Sequence, residues 1–160
     1  MPARSPRRLL SYLAYRVRHV LHRLTRPLTM GVRAVVIDAR DNVLLVRHTY
    51  VAGWHFPGGG IEPGETALAA FAHELAEEAN IEMTGAPALH GVFFNDYATE
   101  RDHVLVYVVR AFRQTAPRAA DMEIVEAKFF PRDALPEGAT AATRARLAEI
   151  LDGAPVPEKW

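Results

Sequence analysis

Four glycines fall within seven residues, at positions 58, 59, 60 and 64, and a helical pattern begins two residues after the last of them. Glycine lets a backbone turn where other residues are strained and lets it approach a partner closely. The junction is therefore a tight loop feeding a helix, within the stretch FPGGGIEPGETALAAFAHELAEEANI at residues 56–81. Over 66–79, Leu68, Phe71, Leu75 and Ala79 form an apolar face. Glu74, Glu77 and Glu78 stand at i, i+3 and i+4, sharing the opposite face within a single turn. Like charges so placed destabilise a bare helix by a few tenths of a kcal/mol each, roughly. Such a triplet is ordinarily a solvated acidic face. Beside a glycine loop it has a second use, because hard divalent cations take clustered carboxylate and carbonyl oxygens. Mg²⁺ typically takes one or two carboxylates together with the phosphates of a substrate.

Two other readings of the stretch fail on residue identity. Gly59 and Gly64 have the spacing of a phosphate-binding P-loop, but Glu65-Thr66 stands where that motif needs lysine followed by serine or threonine. His73-Glu74 opens like a zinc-protease HExxH, but Glu77 replaces the second histidine.

The rest of the chain reads as strands and helices around this unit. Val32 and Ala34 to Ile37 form an apolar run, residues 39–42 turn, and residues 43–46 answer it. Further strand-like runs lie at 90–95, 103–112 and 123–130, and a helix is predicted over 139–152 with Gly153 as its stop. Strand pairs and helices interleave without a regular βαβ repeat, which predicts an α+β fold with helices on the faces of a mixed sheet. A chain of 160 residues buries a genuine core without staples. With no cysteine it has no disulfide, thiolate metal site or cysteine nucleophile. No stretch approaches the ~20 consecutive apolar residues of a membrane span, and a cytoplasmic protein is expected.

The formal net charge of zero hides an asymmetry: residues 1–37 hold eight arginines and no acid. Leu10, Leu13, Val17, Val20 and Leu24 recur at helical steps among those arginines, predicting a basic amphipathic helix within a segment 1–28. Its apolar stripe suits packing on the domain or on a second copy in a homodimer. Its charge suits an anionic membrane surface, RNA or a targeting role. The domain proper is assigned to 29–153, followed by a short tail at 154–160.

The residues Gly59, Glu65, Glu74, Leu75, Glu77, Glu78 and Ile81 together resemble the Nudix box, Gly-x5-Glu-x7-Arg-Glu-U-x-Glu-Glu-x-Gly-U with U a bulky aliphatic residue. Seven matches at fixed spacing over 23 residues make the resemblance specific, and the flanking strands and helix resemble the family's layout. Two positions depart from it. His73 stands for the arginine and loses its bidentate fork, although it can still pair with Glu65. Asn80 stands for the last glycine, at a helix C′ position where Asn, after glycine, best tolerates the left-handed conformation.

The resemblance implies an α/β/α sandwich and a metal-dependent pyrophosphohydrolase that uses water and Mg²⁺ or Mn²⁺ to cleave a nucleoside diphosphate linked to another group. It implies Glu74 and Glu78 as leading metal ligands, with Glu77 and the Gly58 carbonyl beside them, and Glu65 orienting the helix carboxylates. Glu123 and Glu126 are candidates for a further carboxylate. Arg47 and His48 are candidates to meet phosphate; Trp54, Phe56, Phe93, Phe94 and Tyr97 are candidates to stack a base, although Phe56 and Phe94 fit a core better. The competing reading is a catalytically weak nucleotide-binding or sensor protein, its chemistry blunted by His73 and its location set by the basic N-terminal helix.

Overall fold

β1 (Thr29–Val36) and β5 (Asp102–Val109) run parallel through the middle of the domain, paired from Thr29 with Asp102 to Val36 with Val109. In this computed structural model residues 28–97 and 99–160 are described, so the basic helix expected within 1–28 lies outside the described residues. β4 (Ala88–Phe94) joins the other edge of β5 antiparallel, giving the order β1-β5-β4. β2 (Asn42–His48) pairs antiparallel with β7 (Ile124–Pro131). Short β3 (Ile81–Met83) pairs with β6 (Phe112–Gln114). The expected single strand over 103–112 is thus two strands, broken at residues 110–111, and β3 is one the periodicity does not reveal.

The continuous apolar runs of β1, β2 and β5 reflect burial on both faces. Val32, Ala34, Val36, Leu44, Leu105 and Tyr107 face one core, completed by Phe71, Leu75 and Ala79 of α1 (Ala67–Ala79). Val35, Ile37, Val43, Leu45, Val104 and Val106 face the other, with Leu147 of α2 (Ala141–Asp152). The result is the expected α/β/α sandwich around mixed strands. Leu68 departs from its expected place: it is 49% exposed, and Ala70 fills the apolar face of α1 instead.

Local chemistry sets the helix ends. The Thr66 hydroxyl accepts from the Ala69 N–H at 3.2 Å, satisfying one of the free donors of the first turn of α1. Asn80 closes that helix in the left-handed region at φ 53°, as its identity suggested. Thr140 and Gly153 do the same for α2. Beyond α2 the chain returns to β4: the Phe94 N–H donates to the Glu158 carbonyl at 2.9 Å, and the Trp160 N–H donates to the Phe94 carbonyl at 3.0 Å. The tail is therefore docked on the domain. No helix among the described residues is long and apolar enough to cross a membrane.

Candidate active site

The glycine loop is tied to the edge of β1 that β5 leaves free. Ala34 N–H donates to the Pro57 carbonyl at 2.8 Å, Val32 N–H to Gly59 at 2.9 Å, and Ile61 N–H returns a bond to Met30 at 2.8 Å. Gly58 adopts φ 140°, and a Cβ there would overlap the Val32 carbonyl oxygen, so no other residue fits. A Cβ on Gly59 would overlap the Glu74 carboxylate. The two glycines thus bring bare backbone against the acidic turn of α1. Gly58 N–H donates to Glu78 Oε2 at 2.8 Å.

Glu74, Glu77 and Glu78 line a polar cleft of about 180 Å³ with Gly58, Gly59, Tyr50, Arg118 and Glu123. Glu78 carries the greatest strain. Burial pushes its carboxyl up from 4.5 to about 7, opposed by the Gly58 hydrogen bond and reinforced by the charges of Glu74 and Glu123. Glu74 is raised too, first by burial, while the nearby Arg33 guanidinium pulls it back. His48 Nε2 stands 3.6 Å from Glu78 Oε1, but burial, followed by the charges of His55 and Arg33, disfavours protonation of this imidazole. Its Nδ1 has no partner among the described residues. Among the described residues, these two partly buried carboxylates thus share a cleft with no positively charged group in direct contact with either oxygen pair.

Glu77 turns outward: its side chain is 65% exposed and lies 3.0 Å from His73 Nε2, one turn back on α1. Glu65 Oε2 accepts from the Glu62 N–H at 3.2 Å, while its Oε1 is 4.0 Å from His73 Nδ1. His73 therefore sits between Glu65 and Glu77, where the box pattern has arginine, and reaches the first only at the limit of an ionic contact.

The candidates beyond the box separate. Glu123 lines the cleft, whereas Glu126 pairs with Arg47 across β2 and β7 at 3.4 Å. A bulge in the register beside Arg47 and His48 separates the two glutamates, so Glu126 follows the outward side of the ladder. Arg47 stacks 5.4 Å above Trp54, whose indole is buried edge-on to Phe130. Trp54, Arg47 and Glu126 are therefore not brought to the acidic cleft; the first is core, and the other two form a cross-strand pair beside it. Phe56 and Phe93 are also core, while Tyr97 is exposed.

The sequence reading missed two arginines. Arg33, on β1 directly behind Gly58, is the cation whose field reaches both Glu74 and Glu78. Arg118 donates from Nε to the Glu77 carbonyl at 2.6 Å and pairs with Asp121, closing the last turn of α1. Asp121 in turn accepts from the Glu123 and Ile124 N–H groups at 2.9 and 2.8 Å, bonds that with Arg118 hold its own carboxyl down at about 2. That turn places Glu123 at the cleft.

The arrangement also fits a divalent cation. Among the described residues, no three His, Cys, Asp or Glu side chains stand in ready-made ligating positions. Mg²⁺ needs no such set, since one or two carboxylates and substrate phosphates complete its octahedron. Glu74 and Glu78, both raised first by burial, are that kind of donor pair.

A larger cavity of about 540 Å³ opens behind the same loop, with Arg33, His55 and Phe56 on one side and Thr140, Thr143 and Trp160 on another.

Comparison with known proteins agrees with this geometry. The chain is 29% identical over 136 residues to the human 8-oxo-dGDP phosphatase NUDT18, covering 80% of this chain and 40% of that protein. It thus spans under half the length of that relative. It is 36% identical over 53 residues to an RNA pyrophosphohydrolase of Legionella pneumophila, covering 33% of this chain and 30% of that protein. The crystal structure of a MutT NUDIX hydrolase from Burkholderia pseudomallei superposes with a TM-score of 0.66 at 25% identity, covering 76% of this chain and 97% of that one. The NUDIX domain model matches residues 27–151, and with a loop, helix and sandwich that agree with it the chain belongs to the NUDIX family.

Proposed function

We propose that this chain is a hydrolase that cleaves a phosphoric anhydride bond in a nucleoside diphosphate derivative, using Mg²⁺ or Mn²⁺ held by Glu74 and Glu78. The observation that carries the reading is the convergence of these two raised carboxylates on the bare backbone of Gly58 and Gly59. A pair of acids whose ionisation the protein itself opposes is well matched to a cation that arrives with an anionic substrate. The bound metal would neutralise the pyrophosphate and lower the pKa of the attacking water.

The chain's own groups divide the remaining work. Gly58 N–H fixes one oxygen of Glu78 and leaves the other directed toward His48. Arg33, beside the loop, offers charge to a phosphate arriving over Gly58. Glu123 lies across the cleft from α1, outside the box, and is the carboxylate assigned to accept the proton of the attacking water. Glu65 and Glu77 act through His73, steadying the outer side of the acidic turn. Such an enzyme works where soluble nucleotides are, which supports a cytoplasmic setting.

The test is nucleotide or phosphate release from a panel of nucleoside diphosphate derivatives, with and without Mg²⁺ or Mn²⁺, alongside Glu78→Gln. The glutamine keeps the acceptor for Gly58 and loses the charge. Metal-dependent turnover in the wild type, reduced at least ~10²-fold in the variant, is the expected result. Equal turnover in the two proteins would remove Glu78 from the mechanism.

A further inference from the structure

The segment that follows α2 is held by several independent contacts. Arg146 of α2 is 1% exposed and sandwiched: its guanidinium lies 3.9 Å from the Phe93 ring centroid and 5.5 Å from that of Trp160. It pairs with Glu149, which meets His90 Nε2 at 2.9 Å, and it donates to the Lys159 carbonyl at 3.3 Å. Backbone bonds from Phe94 to Glu158 and from Trp160 to Phe94 add a strand-like pairing, and Lys159 meets Asp96. A buried guanidinium, two backbone bonds and a surface ion pair all fix the same three residues. Their shared consequence is the position of the Trp160 indole, edge-on to Phe93 at 5.9 Å and on the wall of the 540 Å³ cavity.

That cavity and the acidic cleft are two ends of one loop. His55 and Phe56 line the cavity, and Gly58 and Gly59 line the cleft two residues later. Arg33 lines the cavity and lies directly behind Gly58. A ligand whose phosphates lie over Gly58 and whose organic part runs past Arg33 would enter the cavity. The volume is within the range of small-molecule sites, and the walls at Phe56 and Trp160 are aromatic.

From this geometry we infer that Trp160 is a specificity-determining residue: its indole, set in place by Arg146, forms a wall against which the planar base of the substrate packs. This rests on the hydrolase reading above for the direction of the phosphates. It assigns to the tail, rather than to the box, the selection of base-bearing over base-free phosphates. Stacking of a base on an aromatic side chain is sequence-tolerant, so the tail would favour a base in general without choosing among bases.

The test compares wild type, Trp160→Ala and Trp160→Leu, the last keeping an apolar side chain over Phe93 and Arg146. Calorimetric titration with adenosine and guanosine monophosphates and with ribose 5-phosphate reads binding without turnover. Both variants are expected to weaken the nucleotides about 5- to 100-fold while ribose 5-phosphate is unchanged. With a substrate from the panel, KM should rise and kcat stay within about threefold. Unchanged nucleotide binding in a folded Trp160→Leu, equal weakening of all three ligands, or no nucleotide binding by the wild type would each overturn the inference. Nucleotide binding that depends on Trp160 in a protein with no turnover would instead overturn the hydrolase reading and leave the tail's role standing.

Discussion

The two helices of the described residues bury charge in opposite ways. On α2, Arg146 and Glu149 are a matched pair, 1% and 8% exposed, with His90 and the Lys159 carbonyl taking up further bonding capacity. On α1, Glu74 and Glu78 are partly buried acids whose neighbours include two more acids, Glu77 and Glu123. The first cluster is neutralised by the chain itself. In the second, burial raises both carboxyls, with smaller contributions from neighbouring acids. Desolvating a charge costs several kcal/mol unless a partner compensates it, as a rough guide. That contrast between the two helices supports the cation proposed for Glu74 and Glu78.

The largest expected effect breaks the paired cluster on α2. Glu149→Gln leaves the Arg146 guanidinium buried without its countercharge, which should cost about 3–5 kcal/mol of folding stability. Replacing both partners with apolar residues, as in Arg146→Met with Glu149→Leu, should recover much of that loss, because neither charge then needs a partner. Urea unfolding of the three proteins measures it. A double variant as unstable as the single one would mean that the hydrogen bonds to His90 and Lys159, rather than charge pairing, hold this face.

The acidic cluster on α1 should respond to pH in the metal-free protein. A carboxyl whose folded pKa lies above its unfolded value holds its proton more tightly in the native state. Glu78 therefore burdens the fold little at or below its ordinary 4.5 and increasingly as pH rises toward about 7. The stability lost over that window is up to about 3 kcal/mol. His48, whose protonation burial disfavours, acts in the opposite sense and costs stability as pH falls. Comparison of wild type with Glu78→Gln isolates the glutamate: the variant should gain on the wild type between pH 4.5 and pH 8. Added Mg²⁺ should stabilise the wild type most at the alkaline end, where the carboxylate is already ionised. A pH-independent difference would show that Glu78 is not the strained group.

These contrasts were unequally visible in the sequence. The acidic turn was legible because i, i+3 and i+4 on one helix is a local relation, and Asn80 as a left-handed cap follows from the residue's own preference. The apolar run ending β1 was legible as a strand, whereas 103–112 reads as an alternating strand and its burial on both faces comes from the packing. Leu68 was misplaced because a helix face drawn from periodicity does not say where the sheet ends. Glu123 and Glu126 stood as equals until the register of β7 separated them. Arg33 reads as one more arginine of a basic segment, and nothing in the sequence marks Arg118, because only the packing of β1 and of the loop before β7 brings them to α1. Arg146 and Glu149 look like an exposed i, i+3 pair; Phe93 and the returning tail bury them.

The smallest expected effect sharpens the comparison at its boundary, where the acidic turn meets solvent. His73 reaches Glu77 at 3.0 Å but Glu65 only at 4.0 Å, and it is charged only when protonated. An arginine there has a longer reach, a planar fork for a carboxylate and a charge at every working pH. His73→Arg should therefore bridge Glu65 and Glu77 together and raise kcat about 2- to 10-fold, with KM little changed, because the site is exposed and its ion pairs are individually weak. If the gain comes from the Glu65 bridge, adding Glu65→Gln to His73→Arg should abolish it while leaving the Glu77 contact intact. A gain that survives the second change would assign the effect to Glu77 alone. A loss on His73→Arg would mean that the acidic turn is tuned to a shorter, switchable partner, and that the open side of α1 is adjusted as closely as the closed side of α2.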